Sequence, residues 1–173
     1  MTDHQGSTTR RSIILGAAAG GLAAATAHAA PQALSMADLK KEGDIACLYH
    51  CDYGDNARFA QTLNNISNHY SAYGADPFGL QLVIVAHSAA VKYFLSTLEG
   101  TPWKDETIDP GLFERATALA KNGLKVHLCE ITFKRLKLDK GKVRDMPFIS
   151  FVPSGVATVA ALQSKGFAYL KVG

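Results

Sequence analysis

Leu124-Lys125-Val126-His127-Leu128-Cys129-Glu130 is the stretch on which the fold turns. Gly123 precedes it and Ile131-Thr132-Phe133 follow. It reads as a short strand running straight into a turn and a helix. In a parallel sheet Cys129 would stand at the carboxyl end of that strand, where open α/β sheets bind their ligands. A helix start beside it carries partial positive charge and unsatisfied N–H groups, which lower a thiol's pKa towards the reactive range. Position alone is equally compatible with a buried, inert cysteine acting as a small hydrophobe.

Four further runs have strand character. Ile45-Ala46-Cys47-Leu48-Tyr49-His50 and Leu80-Gln81-Leu82-Val83-Ile84-Val85-Ala86-His87 are nearly continuous apolar segments, the pattern of parallel strands covered on both faces. Pro147–Val152 and Phe167–Val172 complete the set. Helical patterns lie between them. From Arg58 to Tyr73, Phe59, Leu63, Ile66 and Tyr70 recur at intervals of three and four, after Asp55 as N-cap and before Gly74 as terminator. Asn64, Asn65, Asn68 and His69 fall on its other faces. Ser88 can cap a helix from Ala89 to Leu98, and a polar loop from Gly100 to Pro110 holds the only tryptophan, Trp103. Leu112–Lys121 reads as a third helix. Pro153-Ser154-Gly155 opens another, which Gly166 stops. The alternation predicts an α/β fold: a single-domain, doubly wound, mostly parallel five-stranded sheet with helices on both faces. Neither a P-loop nor a Rossmann glycine fingerprint is present.

The chain has 173 residues, the length of one domain, and a net charge of +3. That charge is too small to argue for nucleic-acid binding, and no basic stretch interleaved with aromatics stands out. The first 29 residues read as an address. Arg10-Arg11 open an apolar Ala/Gly-rich run from Ile13 to Ala25, and Ala27-His28-Ala29 gives a small-x-small cleavage site. This is the layout of a cleaved twin-arginine export signal, leading to the periplasm. The run is too short and too rich in small residues to make a stable membrane span. Residues 30–43 read as a leader with a short helical turn around Met36–Lys40, and 44–173 as the α/β domain. In an oxidising compartment three cysteines, Cys47, Cys51 and Cys129, are an odd number, so at least one is free, modified, metal-bound or paired between chains.

Three strand ends collect polar groups: His50-Cys51-Asp52, His87-Ser88 and His127-Leu128-Cys129. Parallel strands would open all three on one edge, bringing a thiol beside imidazoles, the combination that produces a thiolate nucleophile. His87, at a strand exit, is the better base. His127 lies two residues from Cys129, roughly 6–7 Å along the strand, and reads as a packing residue. Cys47 and Cys51, four apart, are about 13 Å apart on a strand and beyond disulfide reach. Cys51 meets Cys129 only if their strands are neighbours. A zinc site from Cys51, Cys129 and His87 is an alternative, without the close spacing of structural zinc. After Phe133 the chain turns basic through Lys134, Arg135, Lys137, Lys140, Lys142 and Arg144. This is a solvated loop or an electropositive rim suited to anionic sulfur species.

From about Asp44 onward the chain resembles the DsrE/DsrF-like (YchN-like) family. The resemblance runs through Tyr49-His50-Cys51-Asp52, Asn64–His69, Val83–Ser88, Gly123–Cys129, Val152–Val156 and Leu162–Lys171. It implies a small doubly wound α/β fold assembling into trimers or hexamers. It also implies that Cys129 matches the reactive cysteine that accepts and passes on persulfide sulfur. The export signal and the extra thiols Cys47 and Cys51 depart from the family's cytoplasmic sulfur-oxidation members.

The expectation is therefore an exported sulfur carrier or sulfurtransferase. Cys129 and His87 would do the chemistry, and Cys51, His50, Ser88 and Lys134 would line the site. The partners would be a donor or acceptor protein or a small sulfur anion, and an exposed Cys129 thiolate is the proposition on which this reading stands. The alternatives are an oligomeric periplasmic module binding a metal, haem or small ligand, and a subunit whose thiols are simply buried.

Overall fold

The computed structural model describes residues 1–2, 31–76 and 79–173. The export signal expected in the first 29 residues lies, but for Met1 and Thr2, outside the described residues. Among the described residues no helix is long and apolar enough to cross a membrane.

Among the described residues six parallel strands form one sheet: β1 Gln32–Ala33, β2 Ile45–Cys51, β3 Leu80–Ala86, β4 Lys125–Cys129, β5 Ile149–Val152 and β6 Ala168–Leu170. Their spatial order is β1-β5-β4-β3-β2-β6. The α-helices among the described residues are α1 Asn56–Ala72, α2 Pro110–Ala120, α3 Glu130–Leu136 and α4 Gly155–Ser164.

The strand order dictates which helix covers which face. From β2 through β3 and β4 to β5 the chain steps steadily one way across the sheet. Right-handed crossovers then put every intervening helix on the same side. The connection from β5 to β6 runs back the other way, so α4 lies on the opposite face, and the return from β1 to β2 sends residues 34–44 there too. The two cores agree. Cys47, Tyr49, Cys51, Leu82, Ile84, Val126, Leu128 and Phe151 share one core with the buried sides of α1, α2 and α3. Ala46, Leu48, Val83, Val85 and Val152 share the other with Val159 and Leu162 of α4 and Leu39 of the leader. Side chains alternate across a strand, so the parity of a residue number decides which core it joins.

The expected five strands are all present, and the sheet has a sixth. Gln32 and Ala33 pair with Ser150 and Phe151, so the leader contributes an edge strand. No helix forms around Met36–Lys40. Asp38 accepts bonds from the Ser35 backbone at 2.8 Å and hydroxyl at 2.7 Å. These close a single turn, and so short a segment cannot repay helix nucleation. The helix expected over Ala89–Leu98 is instead a 3-10 segment, Ser88–Phe94, with all of Ala90–Phe94 buried. Leu95 is drawn into an extended bridge with Val143, which stops it. His87 is its N-cap residue, and Ser88 does not cap it.

Candidate functional site at the carboxyl edge

Because every strand is parallel, His50, Cys51, Ser88 and Cys129 do reach one edge of the sheet. Parity then divides them. His50 and Cys129 carry the register of Leu48 and His127, facing α4, whereas Cys51 joins the opposite core. Strand β3 also separates β2 from β4. Cys51 therefore does not meet Cys129, and the zinc set Cys51–Cys129–His87 is not assembled. Cys51 is wholly buried, with Sγ 3.4 Å from the Tyr53 hydroxyl, which in turn bonds Thr62. Burial pushes its thiol up to about 12, against a weaker pull from the Tyr53 hydrogen bond, so it stays protonated and unreactive. Burial likewise raises the Cys47 thiol. All three cysteines are free.

Cys129 ends β4 and is itself the N-cap residue of α3. The side chain is 5% exposed, so the open thiol expected from the sequence is corrected to a covered one. The cover is the start of α4. A Cβ placed on Gly155 would come within 2.9 Å of His87 Cβ, 3.0 Å of His87 Cδ2 and 3.1 Å of Cys129 Cβ. Only glycine allows the helix to descend this far. The approach packs the backbone at the start of α4 against the Cβ atoms of both Cys129 and His87. Ser154 caps that helix by accepting from Ala157 N at 3.3 Å.

His87 follows β3, its N–H donating to the Cys51 carbonyl at 3.0 Å. Its ring meets His50 across the gap, Nε2 to Nε2, at 2.6 Å. His50 Nδ1 lies 2.8 Å from the Tyr169 hydroxyl, brought alongside by β6. Two neutral imidazoles so close require one to donate and the other to accept. Either direction of the chain Tyr169–His50–His87 satisfies that. Desolvation by burial lowers both imidazoles' pKa. His87 adds to the effect on His50, and Lys171 and Arg135 add to it on His87, while Asp52 opposes. Asp52, just past β2, holds Lys171 at 2.8 Å. Burial alone would raise its carboxyl, but the Lys171 bond and charge outweigh this and the net shift is downward.

Ser88 adopts a left-handed backbone, φ 53°, and its N–H donates to Thr132 Oγ1 at 3.0 Å. The strain is accommodated where β3 gives way to the 3-10 segment beside the site. Lys134 lies along an open cleft of about 510 Å³ with Glu130, Ile131, Lys137, Lys140 and Pro153. Neither Cys129 nor His87 is among the residues that line this cleft. His127 is buried, with Nδ1 2.7 Å from Ser150 Oγ, as a packing residue should be.

Gly155, Tyr169 and Lys171 escape the reading of the sequence as site residues, and Asp52 stands there only as part of a polar strand end. Tyr169 and Lys171 carried a usable signal. They alternate on the last apolar strand, and a strand returning beside β2 necessarily delivers its polar side chains next to His50.

Fold and site define a small parallel α/β protein with a thiol and a paired imidazole gathered under one helix start. The DsrE/DsrF-like family model matches residues 45–172, and the chain belongs to that family. Membership implies a role related to sulfur metabolism. Among solved structures the chain is similar to MTH1491 from Methanobacterium thermoautotrophicum, described as a protein of unknown function. The TM-score is 0.57 with 18% identity over 73% of this chain and 98% of that one, a likeness of fold. No curated protein matches the chain.

Proposed function

We propose that this is an exported, homo-oligomeric sulfur-handling protein that carries sulfane sulfur as a persulfide on Cys129. The observation that carries the reading is the triple contact of Gly155 with Cys129 and His87. It puts the start of α4 against the Cβ atoms of both residues, so a thiolate on Cys129 would have an imidazole and a helix start as neighbours. In the step itself the Cys129 thiolate attacks the outer sulfur of a donor persulfide. A new S–S bond forms, the donor's S–S bond breaks, and the donor thiolate departs with the electron pair. His87 takes the Cys129 proton and returns it to the departing thiolate, so no net oxidation occurs. Delivery to an acceptor thiol is the same exchange in reverse. The 5% exposure of Cys129 restricts access to a slim sulfur chain or to a moment when the start of α4 lifts.

The test is mass analysis after exposure to polysulfide. A 32 Da increment, the mass of one sulfur, is expected on the Cys129 peptide, removed by dithiothreitol and absent from Cys129→Ser. Sulfur on Cys47 or Cys51 instead, or on none of the three, overturns the reading.

A further inference from the structure

The imidazole pair does more than flank the thiol. One ligand atom from each of His50, Asp52 and His87 lies within 4.8 Å of the other two. These residues come from two strand ends that the parallel register locks side by side, Cys51 against Ala86. The cluster is therefore built on rigid scaffold. We propose that His50 Nε2, His87 Nε2 and the Asp52 carboxylate bind a divalent first-row transition ion, with zinc as the reference ion.

The donor set fits that class. Two imidazoles and one carboxylate suit zinc, copper, nickel or iron, while calcium and magnesium require more oxygen ligands. Tetrahedral bonds of about 2.0–2.1 Å set neighbouring ligand atoms roughly 3.4 Å apart. The two Nε2 atoms, 2.6 Å apart, need to part by less than about an ångström to admit the ion. The proton they now share is what the ion would replace.

The surroundings serve such a site. Tyr169 at 2.8 Å can accept from His50 Nδ1–H, the tautomer that leaves Nε2 bare for a metal. Lys171 is the competitor: its ammonium now neutralises Asp52, and a bound ion must displace it. The Lys171 side chain is partly exposed, so its ammonium can swing away into solvent. Three protein ligands leave a fourth position open to water or a small anion, the arrangement of reactive rather than structural zinc sites.

Cys129 is not among the ligands, so zinc binding can be measured apart from persulfide loading, and the two readings share only His87. The experiment uses the exported chain without a histidine tag, stripped with chelator. It is titrated with zinc against a chromophoric competitor, and with cobalt by visible absorption. One equivalent is expected to bind. His50→Ala and His87→Ala should each weaken binding by 100-fold or more. Tyr169→Phe should weaken it by roughly 10-fold, the usual effect of losing an outer-shell partner. Lys171→Met should tighten it several-fold, a sign that incidental surface binding would not give. Asp52→Asn, which keeps shape, provides the ligand test should a histidine variant fail to fold. Cys129→Ser should leave zinc affinity unchanged. Absence of saturable binding overturns the proposal, as does binding unaffected by both histidine variants or abolished by Cys129→Ser.

Discussion

At the scale of single residues, Gly155 and His127 show how little freedom this edge has. Gly155→Ala would drive a methyl to about 3 Å from both His87 and Cys129. Neither neighbour is the free end of a flexible chain, so the cost should fall in the overpacking range, about 1–3 kcal/mol. Chemical denaturation would show it, and persulfide loading should fall with it. His127 gives a pH signature. Desolvation, helped by Lys125, holds its pKa down from 6.5 to about 4. Between those values the unfolded chain binds the proton and the folded chain does not, so stability falls as pH drops. The contribution is intact above about pH 6.5 and fully lost below about pH 4, on the order of 3 kcal/mol. His127→Phe should flatten that part of the urea-midpoint profile from pH 7 to 4.5. A variant as acid-sensitive as the parent would refute the assignment. Ser150 donates to the Val126 carbonyl at 3.3 Å, so the phenylalanine would not leave it without a partner.

At the scale of elements, α4 is the cover on the thiol, and Ser154 holds its first turn together. Ser154→Ala should cost roughly 0.5–2 kcal/mol as a lost N-cap. If the start of α4 is what lifts to admit a reagent, native-state alkylation of Cys129 should quicken several-fold, about 5-fold for 1 kcal/mol. Cys47 and Cys51, on the far face, should be unaffected. Equal acceleration at all three would mean global unfolding rather than a local opening. The elements themselves were largely legible in the sequence. Continuous apolar runs marked β2 to β6, and Asp55 and Gly74 bracketed α1 almost to the residue. What could not be read was a strand of two residues, Gln32–Ala33, too short to carry a pattern. Nor could the pattern distinguish the 3-10 segment, buried on every side, from an amphipathic helix. The convergence of His50, His87 and Cys129 was visible from parallel strand ends. Adjacency already separates Cys51 from His50, because neighbouring residues of a strand face opposite sides of the sheet. The exposure of Cys129 was different in kind. It depends on which crossover reverses and brings a helix over the edge, and strand order is not written in local periodicity.

At the scale of the whole molecule, the edge that holds the site also carries apolar side chains facing solvent. Ile131, second residue of α3, is 54% exposed, and Val156, second residue of α4, is 67% exposed. Their helices start from the neighbouring strands β4 and β5, whose ends pair Cys129 with Val152. Scattered exposed apolar residues are ordinary. These two flank a covered thiol at the carboxyl end of the sheet, and they mark a surface on which the proposed homo-oligomer would assemble. A second copy lying over Ile131 and Val156 would bury them and enclose the mouth of the site. Lys134 and Lys140 line the cleft that also holds Ile131, so they would lie at the margin of such a contact. The expectation is a trimer or hexamer in sedimentation equilibrium, reduced to monomer by Ile131→Asp combined with Val156→Asp. Both positions are on the surface of the single chain, so the double variant should keep its circular dichroism spectrum. Monomeric parent protein at all concentrations, or a double variant that assembles unchanged, would remove this edge as an interface. Either result would leave the zinc titration to be judged separately, since His50, Asp52 and His87 come from one chain.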